Sequence, residues 1–148
     1  MRPIHLTVML LLSLGAEAHP DDQGDRQKLI GSWEPQGAAE NTPTSSWTFS
    51  TARNATRVTQ RDGGSKVADF TCGTDGVSCE INVAGRKALV SMWFNGPRLV
   101  ELETKGSEVV KRRFRILSQG DLMEMEVIPI VPRGKTETFE FKRAARQR

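Results

Sequence analysis

The stretch KALVSMWFNGPRLVELET, from Lys87 to Thr104, decides the fold of this chain. Two segments of alternating side chains flank the dipeptide Asn95-Gly96. Alternation between apolar and polar residues is typical of a half-buried β-strand, and Asn-Gly favours the tight turn that joins two antiparallel strands. The stretch therefore predicts a β-hairpin.

The same pattern continues on both sides of this hairpin. Turn-forming residues separate short alternating segments at intervals of roughly ten residues, and no helical period persists between them. The sequence predicts about ten strands with uncertain edges. They are Leu29–Glu34, Ser45–Thr51, Ala55–Arg61, Lys66–Cys72, Cys79–Val83, Lys87–Phe94, Arg98–Thr104, Glu108–Leu117, Leu122–Val131 and Lys135–Arg143.

Short turns between these strands require antiparallel neighbours. A sheet of sequential antiparallel strands keeps two free edges unless it closes on itself, and closure gives an up-and-down barrel. The competing β-sandwich needs long crossover connections, whereas the one long link here is Pro35–Thr44. We therefore predict an all-β domain over residues 29–143, an antiparallel up-and-down β-barrel of about 8–10 strands.

Alternation also predicts which side chains face the barrel interior. The acids Glu101, Glu103, Glu124 and Glu126 are expected to face outward. Arg112 is a charged residue within a set of otherwise apolar side chains that we predict to face inward. That set is Trp47, Phe49, Ala88, Val90, Met92, Phe94, Val100, Leu102, Val110, Arg112, Phe114, Ile116, Met123, Met125, Val127, Phe139 and Phe141.

The N-terminus has the layout of a secretory signal peptide over residues 1–18. Arg2 precedes an apolar run, and Ala16-Glu17-Ala18 matches an A-x-A cleavage site. The run is too short for a transmembrane helix, which needs about 20 residues. Residues 19–28 are polar and predict a flexible leader. The protein is therefore expected to be secreted or periplasmic.

Export makes the cysteine pair informative, because disulfides form in oxidising compartments. Cys72 and Cys79 are the only cysteines, and turn-forming residues fill the segment between them. We predict a structural disulfide across the base of a hairpin. Two thiols are too few for a metal site.

Charge and composition exclude several functions. The 148 residues include 21 Lys and Arg against 18 Asp and Glu, a net charge of +3 that is weak evidence for nucleic-acid binding. The two histidines are His5, which leaves with the signal peptide, and His19. The sequence therefore predicts no metal site, no cofactor and no enzyme. A basic tail at residues 144–148 is the one open cationic patch.

The segment Gly31-Ser32-Trp33 resembles the Gly-x-Trp signature of the lipocalin and wider calycin barrels. In that group the tryptophan closes one end of the barrel, and an arginine of the last strand packs across it. Arg143 matches that arginine, because it shares the inward parity of Phe139 and Phe141. The resemblance implies a lipocalin-like barrel with Trp33 and Arg143 in structural roles.

Arg112 is the leading candidate for a site, because a guanidinium among apolar residues needs a partner. It would anchor an anionic head group of a small apolar or amphipathic ligand, or else pair with inward Asp69 or Glu137. The cavity would be lined by Met92, Phe94, Met123, Met125 and Phe139. The predicted function is that of a secreted binding protein.

Two other functions remain open at this stage. The chain also resembles small periplasmic inhibitors of bacterial metalloproteases. In that case it would bind a secreted protein partner through its loops and its leader, with residues 19–28 as the inserting strand. A barrel enzyme would need polar groups that converge in the cavity, and Arg112, Asp69 and Glu137 are the candidates.

Overall fold

Ten β-strands and one short helix form the described part of the chain. The structure is a computed structural model that describes residues 20–37, 40, 42–117 and 120–145. The predicted signal peptide and residues 146–148 of the predicted tail lie outside these ranges. The elements are α1 (Pro20–Lys28), β1 (Gly31–Pro35), β2 (Ser45–Ala52), β3 (Ala55–Asp62), β4 (Ser65–Gly73), β5 (Cys79–Val83), β6 (Arg86–Asn95), β7 (Arg98–Lys105), β8 (Glu108–Leu117), β9 (Leu122–Val131) and β10 (Glu137–Arg143).

The strands close into a barrel in which each strand is antiparallel to its neighbours in the sequence. The two terminal strands meet, because Trp33 of β1 pairs with Trp47 of β2 on one side and with Arg143 of β10 on the other. Closure removes the free edges of the sheet. The prediction of an antiparallel up-and-down barrel is confirmed, with ten strands.

The polar leader differs from the prediction, because Pro20–Lys28 forms a helix. Its basic residues Arg26 and Lys28 lie in the last turn, where a cation interacts favourably with the helix dipole. Arg26 donates a hydrogen bond from Nε to the carbonyl of Gly96 (2.9 Å), and its guanidinium lies 4.7 Å from the Phe94 ring centroid. These contacts with the barrel hold the helix. No helix among the described residues is long and apolar enough to span a membrane.

The β6–β7 hairpin corrects the predicted faces of β7. Met92 pairs with Glu101 and Val90 pairs with Glu103. Directly paired residues point to the same side of a sheet, so both acids face the interior together with Leu99. The prediction that they face outward is wrong. Asn95 pairs with Arg98 across a two-residue turn, and this register outweighs the apolar character of Val100 and Leu102.

Large apolar side chains fill much of the barrel interior. Phe114 packs edge-on against Phe49 and Trp47, with ring centroids 5.1 and 5.3 Å apart. Met92 and Met123 are 0% exposed, so no water molecule reaches them. The fully buried side chains are Trp33, Phe49, Val58, Cys72, Val90, Met92, Leu99, Phe114, Met123 and Phe141, with Glu101 as the charged member.

The barrel wall is incomplete between β4 and β5. Their register contains one partner pair, Ala68 with Val83, whereas the other β4 neighbour, β3, is paired along its whole length. A surface cavity of about 430 Å³ lies beside the unpaired residues, and we call this region the β4–β5 gap. It is lined by Asp69, Phe70, Thr71, Glu80, Ile81, Asn82 and Lys87.

The predicted disulfide is confirmed, and it crosses the end of the β4–β5 gap. Cys72 and Cys79 are bonded with their Cα atoms 6.0 Å apart. Both residues continue the register of the Ala68–Val83 pair, so the bond joins directly opposite positions. The disulfide therefore provides the second attachment between two strands that share few ladder hydrogen bonds.

Reduction of this disulfide is expected to lower the free energy of unfolding by about 2 kcal/mol, because the closed loop is short. Amide hydrogen exchange is expected to speed up in the β4–β5 gap, since its backbone groups lack a strand ladder. Urea denaturation and exchange of the oxidised and reduced protein measure both effects. The double variant Cys72→Ala/Cys79→Ala is the control that should not respond to reductant. Equal stability of the oxidised and reduced forms would contradict the prediction.

Candidate functional site

The two ends of the barrel differ in what covers them. At the helix end lie α1, the β2–β3 turn at Arg53-Asn54 and the β6–β7 turn at Gly96-Pro97. At the opposite end, which we call the far end, lie the β3–β4, β5–β6, β7–β8 and β9–β10 turns. The antiparallel order places consecutive turns at alternate ends.

Trp33 and Arg143 close the helix end. The Arg143 guanidinium lies over the Trp33 ring, with Cζ 4.3 Å from the ring centroid. Nη2 donates to the carbonyls of Lys28 (2.6 Å) and Gly120 (2.9 Å), and Nη1 donates to that of Ile30 (3.0 Å). A planar guanidinium can supply all these donors at once. Arg143 thus joins the last strand to the segment after α1 and to the β8–β9 loop.

Steric contact with Arg143 explains why a glycine stands at the first position of the Gly-x-Trp segment. Gly31 has a φ of +141°, which L-residues rarely adopt, and a Cβ atom there would collide with Nη1 of Arg143. Trp33 is fully buried, and its Nε1 donates to the carbonyl of Leu29 (2.9 Å). The segment therefore combines a close backbone approach with a buried, hydrogen-bonded indole.

A buried charged cluster lies in the interior on β7 and β8. Nη1 of Arg112 donates to Oε1 of Glu101 at 2.7 Å and approaches Oε2 of Glu103 at 3.5 Å. The side chains of Arg112, Glu101 and Glu103 are 16%, 2% and 9% exposed. We call these three residues the interior cluster. It holds two carboxylates and one guanidinium.

Two polar atoms at the interior cluster have no hydrogen-bond partner among the described residues. One is Oε2 of Glu101 and the other is Nε1 of Trp47, and both are buried. Both residues are neighbours of Arg112, whose Nη1 donates to Oε1 of Glu101 and whose Cζ lies 5.7 Å from the Trp47 ring centroid. Buried polar groups normally have partners. Among the described residues, the interior cluster therefore has one unpartnered acceptor, and the neighbouring Trp47 has one unpartnered donor.

Burial and the neighbouring charges act in opposite directions on the pKa values of Glu101 and Arg112. Burial raises the pKa of Glu101, and the Arg112 charge offsets this only in part. For Arg112, burial lowers the pKa, but the two carboxylates raise it by a larger amount. The net shift is upward, and the guanidinium stays charged. The carboxylate of Glu101 is thus the less favoured charge in this environment.

The substitution Glu101→Gln tests this shift. The folded state holds the Glu101 proton more tightly than the unfolded chain does. In the unfolded chain a glutamate side chain has its ordinary pKa of about 4.3. The contribution of Glu101 to the free energy of unfolding is therefore fully present below about pH 4.3, and it is lost as the pH rises through the raised pKa of the folded state. We expect the stability difference, wild type minus Glu101→Gln, to decrease over that interval. Glu140→Gln, on the exposed face of β10, is the control in urea titrations, and a constant difference would contradict the prediction.

Apolar residues of β8, β9 and β10 lie beside the interior cluster. Val110 pairs with Glu103, Val127 pairs with Arg112, and Phe139 belongs to the next strand, β10. These three inward-facing side chains are partly exposed, unlike the fully buried Met92 and Met123. All three share the inward parity of Arg112 and the buried core residues. We call Val110, Val127 and Phe139 the far-end ring.

The structure does not bring the six predicted ligand-binding residues together. Met92, Met123 and Met125 are buried core residues. Phe94 lies at the helix end, where it lines a shallow cavity of about 300 Å³ beside α1. Of the six, Arg112 and Phe139 lie in the region formed by the interior cluster and the far-end ring, which we call the far-end site. The sequence analysis did not identify Glu101, Glu103 and Trp47 as site residues. The tight turn at Asn95-Gly96 was the available indication, because it sets the β6–β7 register that places both acids inside.

The partners predicted for Arg112 are also wrong. Asp69 faces outward and accepts hydrogen bonds from Arg57 (2.8 Å) and Lys66 (2.8 Å), which together hold its pKa well below the usual range. Glu137 is exposed at the far end. The residues of the proposed barrel enzyme therefore do not converge. Asp69 lies between inward-facing Ala68 and Phe70 on β4 and pairs with outward-facing Thr59 of β3.

The basic run Lys111–Arg115 splits between the two faces of β8. Arg113 and Arg115 face outward and pair with Glu126 and Glu124 of β9, the latter at 2.7 Å. Arg112 alone of these arginines turns inward. Cross-strand pairing thus neutralises the outer part of the run, as alternation predicted for Glu124 and Glu126.

Comparison with known structures supports the fold. A secretory abundant heat soluble (SAHS) protein from Ramazzottius varieornatus, from a dimer sample, matches with a TM-score of 0.65 at 10% identity over 79% of this chain and 96% of that chain. The secretory abundant heat soluble protein 4 of the same organism matches with a TM-score of 0.62 at 14% identity over 80% and 96%. No family model and no curated protein sequence matches this chain. The chain shares a barrel fold with SAHS proteins.

Proposed function

We propose that this protein is a secreted, non-enzymatic barrel that binds a small amphipathic molecule at its far end. The apolar part of the ligand would contact the far-end ring of Val110, Val127 and Phe139. Its polar head would reach the interior cluster. Concave sites with apolar walls and a few convergent polar groups are typical of small-molecule binding.

One observation carries this proposal. Oε2 of Glu101 and Nε1 of Trp47 are buried near Arg112 and have no hydrogen-bond partner among the described residues, whereas the side chains of the far-end ring are partly exposed. An unpartnered buried polar group costs about 1–3 kcal/mol. A ligand head group that donates to one atom and accepts from the other would recover part of this cost.

Secretion is the compartment that best fits the chain. The N-terminal pattern of residues 1–18 is that of a signal peptide, and the Cys72–Cys79 disulfide is compatible with an oxidising compartment. The similarity to two secretory barrels points the same way. A binding role fits better than catalysis, because Arg112 forms ion pairs with Glu101 and Glu103 inside the barrel.

The alternative role as an inhibitor receives less support. It requires residues 19–28 to insert into a partner as an extended strand, whereas Pro20–Lys28 forms α1 and contacts the barrel through Arg26. That helix would have to leave Phe94 and Gly96 before inserting.

Native mass spectrometry tests the proposal on protein purified from its own host and on protein incubated with decanol. We expect one bound molecule per barrel. Val127→Trp should block binding, because the larger side chain fills the far-end ring. Thr138→Trp, exposed on the outer face of neighbouring β10, should bind as the wild type does. Absence of any bound molecule, or equal binding by Val127→Trp, would contradict the proposal.

A further inference from the structure

The interior cluster has an excess of negative charge. Glu101 and Glu103 carry two carboxylates, and Arg112 supplies one compensating charge. Further charged residues of inward parity lie at the rim, and they are exposed or half-exposed, so water screens them. They are Asp62, Arg86, Lys105, Glu108 and Glu137, which together do not offset the excess.

From this balance we propose that the far-end site selects a ligand with a primary ammonium head group and disfavours the carboxylate head group of a fatty acid. The inference rests on the proposed function. It reverses the expectation from the sequence, in which a free Arg112 would anchor an anion.

The hydrogen bonds support the same selection. Nη1 of Arg112 donates to Oε1 of Glu101, whereas Oε2 of the same carboxylate has no hydrogen-bond partner among the described residues. An ammonium group has three donors and no acceptor, and it would donate to Oε2. A carboxylate head has no donor and would meet Glu101 and Glu103 as like charges. An alcohol can donate to Oε2 and accept from Trp47 Nε1, but it leaves the charge excess uncompensated.

Burial of Glu101 adds a second reason. Burial raises the pKa of this carboxyl, because its charge is poorly solvated inside the barrel. A bound cation would supply the missing compensation and stabilise the ionised form. The indole face of Trp47, already close to the Arg112 guanidinium, is also a surface that attracts cations.

Three amphiphiles with the same tail test the inference at neutral pH: decylamine, decanol and decanoate. Tryptophan fluorescence titration and calorimetry measure their affinities. We expect decylamine to bind at least about tenfold more tightly than decanoate, with decanol between them. The net charge of +3 attracts decanoate to the protein surface, so non-specific binding would give the opposite order.

Variants separate the possible outcomes. Glu101→Gln should bring the decylamine-to-decanoate affinity ratio close to one, and Glu103→Gln provides the same test if the first variant unfolds. Glu140→Gln, on the outer face, should keep the wild-type ratio. If none of the three amphiphiles binds, the proposed function fails. If decanoate binds best, or if neither Glu101→Gln nor Glu103→Gln changes the ratio, the inference is overturned while the binding function stands.

Discussion

Replacement of Arg112 by methionine is expected to destabilise the barrel by about 3–5 kcal/mol, because it leaves two buried carboxylates without their counter-ion. Glu101 is fully enclosed and already lacks a partner at Oε2. Methionine keeps much of the length of the side chain, so the loss comes from charge rather than from packing. Urea denaturation at neutral pH measures the change.

Arg115→Met is the matched control for this experiment. Arg115 lies three residues along the same strand, but it pairs with Glu124 on the outer face and is 39% exposed. Surface ion pairs contribute at most about 1 kcal/mol. A loss at Arg112→Met no larger than at Arg115→Met would show that water reaches the interior cluster freely.

A triple variant tests whether the instability of Arg112→Met comes from uncompensated charge or from lost packing. Replacing the whole interior cluster by apolar residues of similar size removes the unpaired carboxylates together with the guanidinium. Buried ion pairs replaced in this way are often neutral or more stable by about 1–4 kcal/mol. We therefore expect Glu101→Leu/Glu103→Leu/Arg112→Met to recover most of the stability while losing the selectivity for head groups. A triple variant as unstable as Arg112→Met would contradict this.

Trp33→Ala is expected to cost about 3–5 kcal/mol, the range for truncating a fully buried tryptophan. The variant loses the Trp33 Nε1 hydrogen bond to Leu29 and the ring beneath the Arg143 guanidinium. Because Arg143 bonds the carbonyls of Lys28, Ile30 and Gly120, we also expect α1 to detach more readily. Thermal unfolding and amide exchange of residues 20–30 measure the two effects.

Trp93→Ala is the control for the size of the side chain. Trp93 is only partly buried and lies on the outer face of β6, opposite Val100. Its truncation should cost clearly less and leave exchange in α1 unchanged. Equal losses at Trp33 and Trp93 would mean that the helix end contributes no more to stability than the outer wall.

Most of the barrel was predictable, because its strands and turns depend on residues that are close together in the sequence. Alternation placed Ala88, Val90, Met92 and Phe94 on one face, and the Asn95-Gly96 turn joined two strands, as the structure shows. The helix over Pro20–Lys28 was not predictable in this way. Its composition is polar, and its stability comes from contacts of Arg26 with Phe94 and Gly96, which lie far away in the sequence.

The candidate site was predictable in part. The inward parity of Arg112 was recognised from its neighbours Val110, Phe114 and Ile116. Its partners were not, because alternation favoured Val100 and Leu102 as the buried face of β7. The two-residue turn after Asn95 instead places Glu101 opposite Met92 on one side and Arg112 on the other.

By itself, the sequence determined the periodicity, the turns and the disulfide of this protein, because each depends on residues close together in the chain. Only the tertiary structure decided that Glu101 and Glu103 meet Arg112 and Trp47 inside the barrel. That meeting depends on the register of several strands at once and on closure between β1 and β10. A shift of one residue in any strand would turn its side chains to the other face.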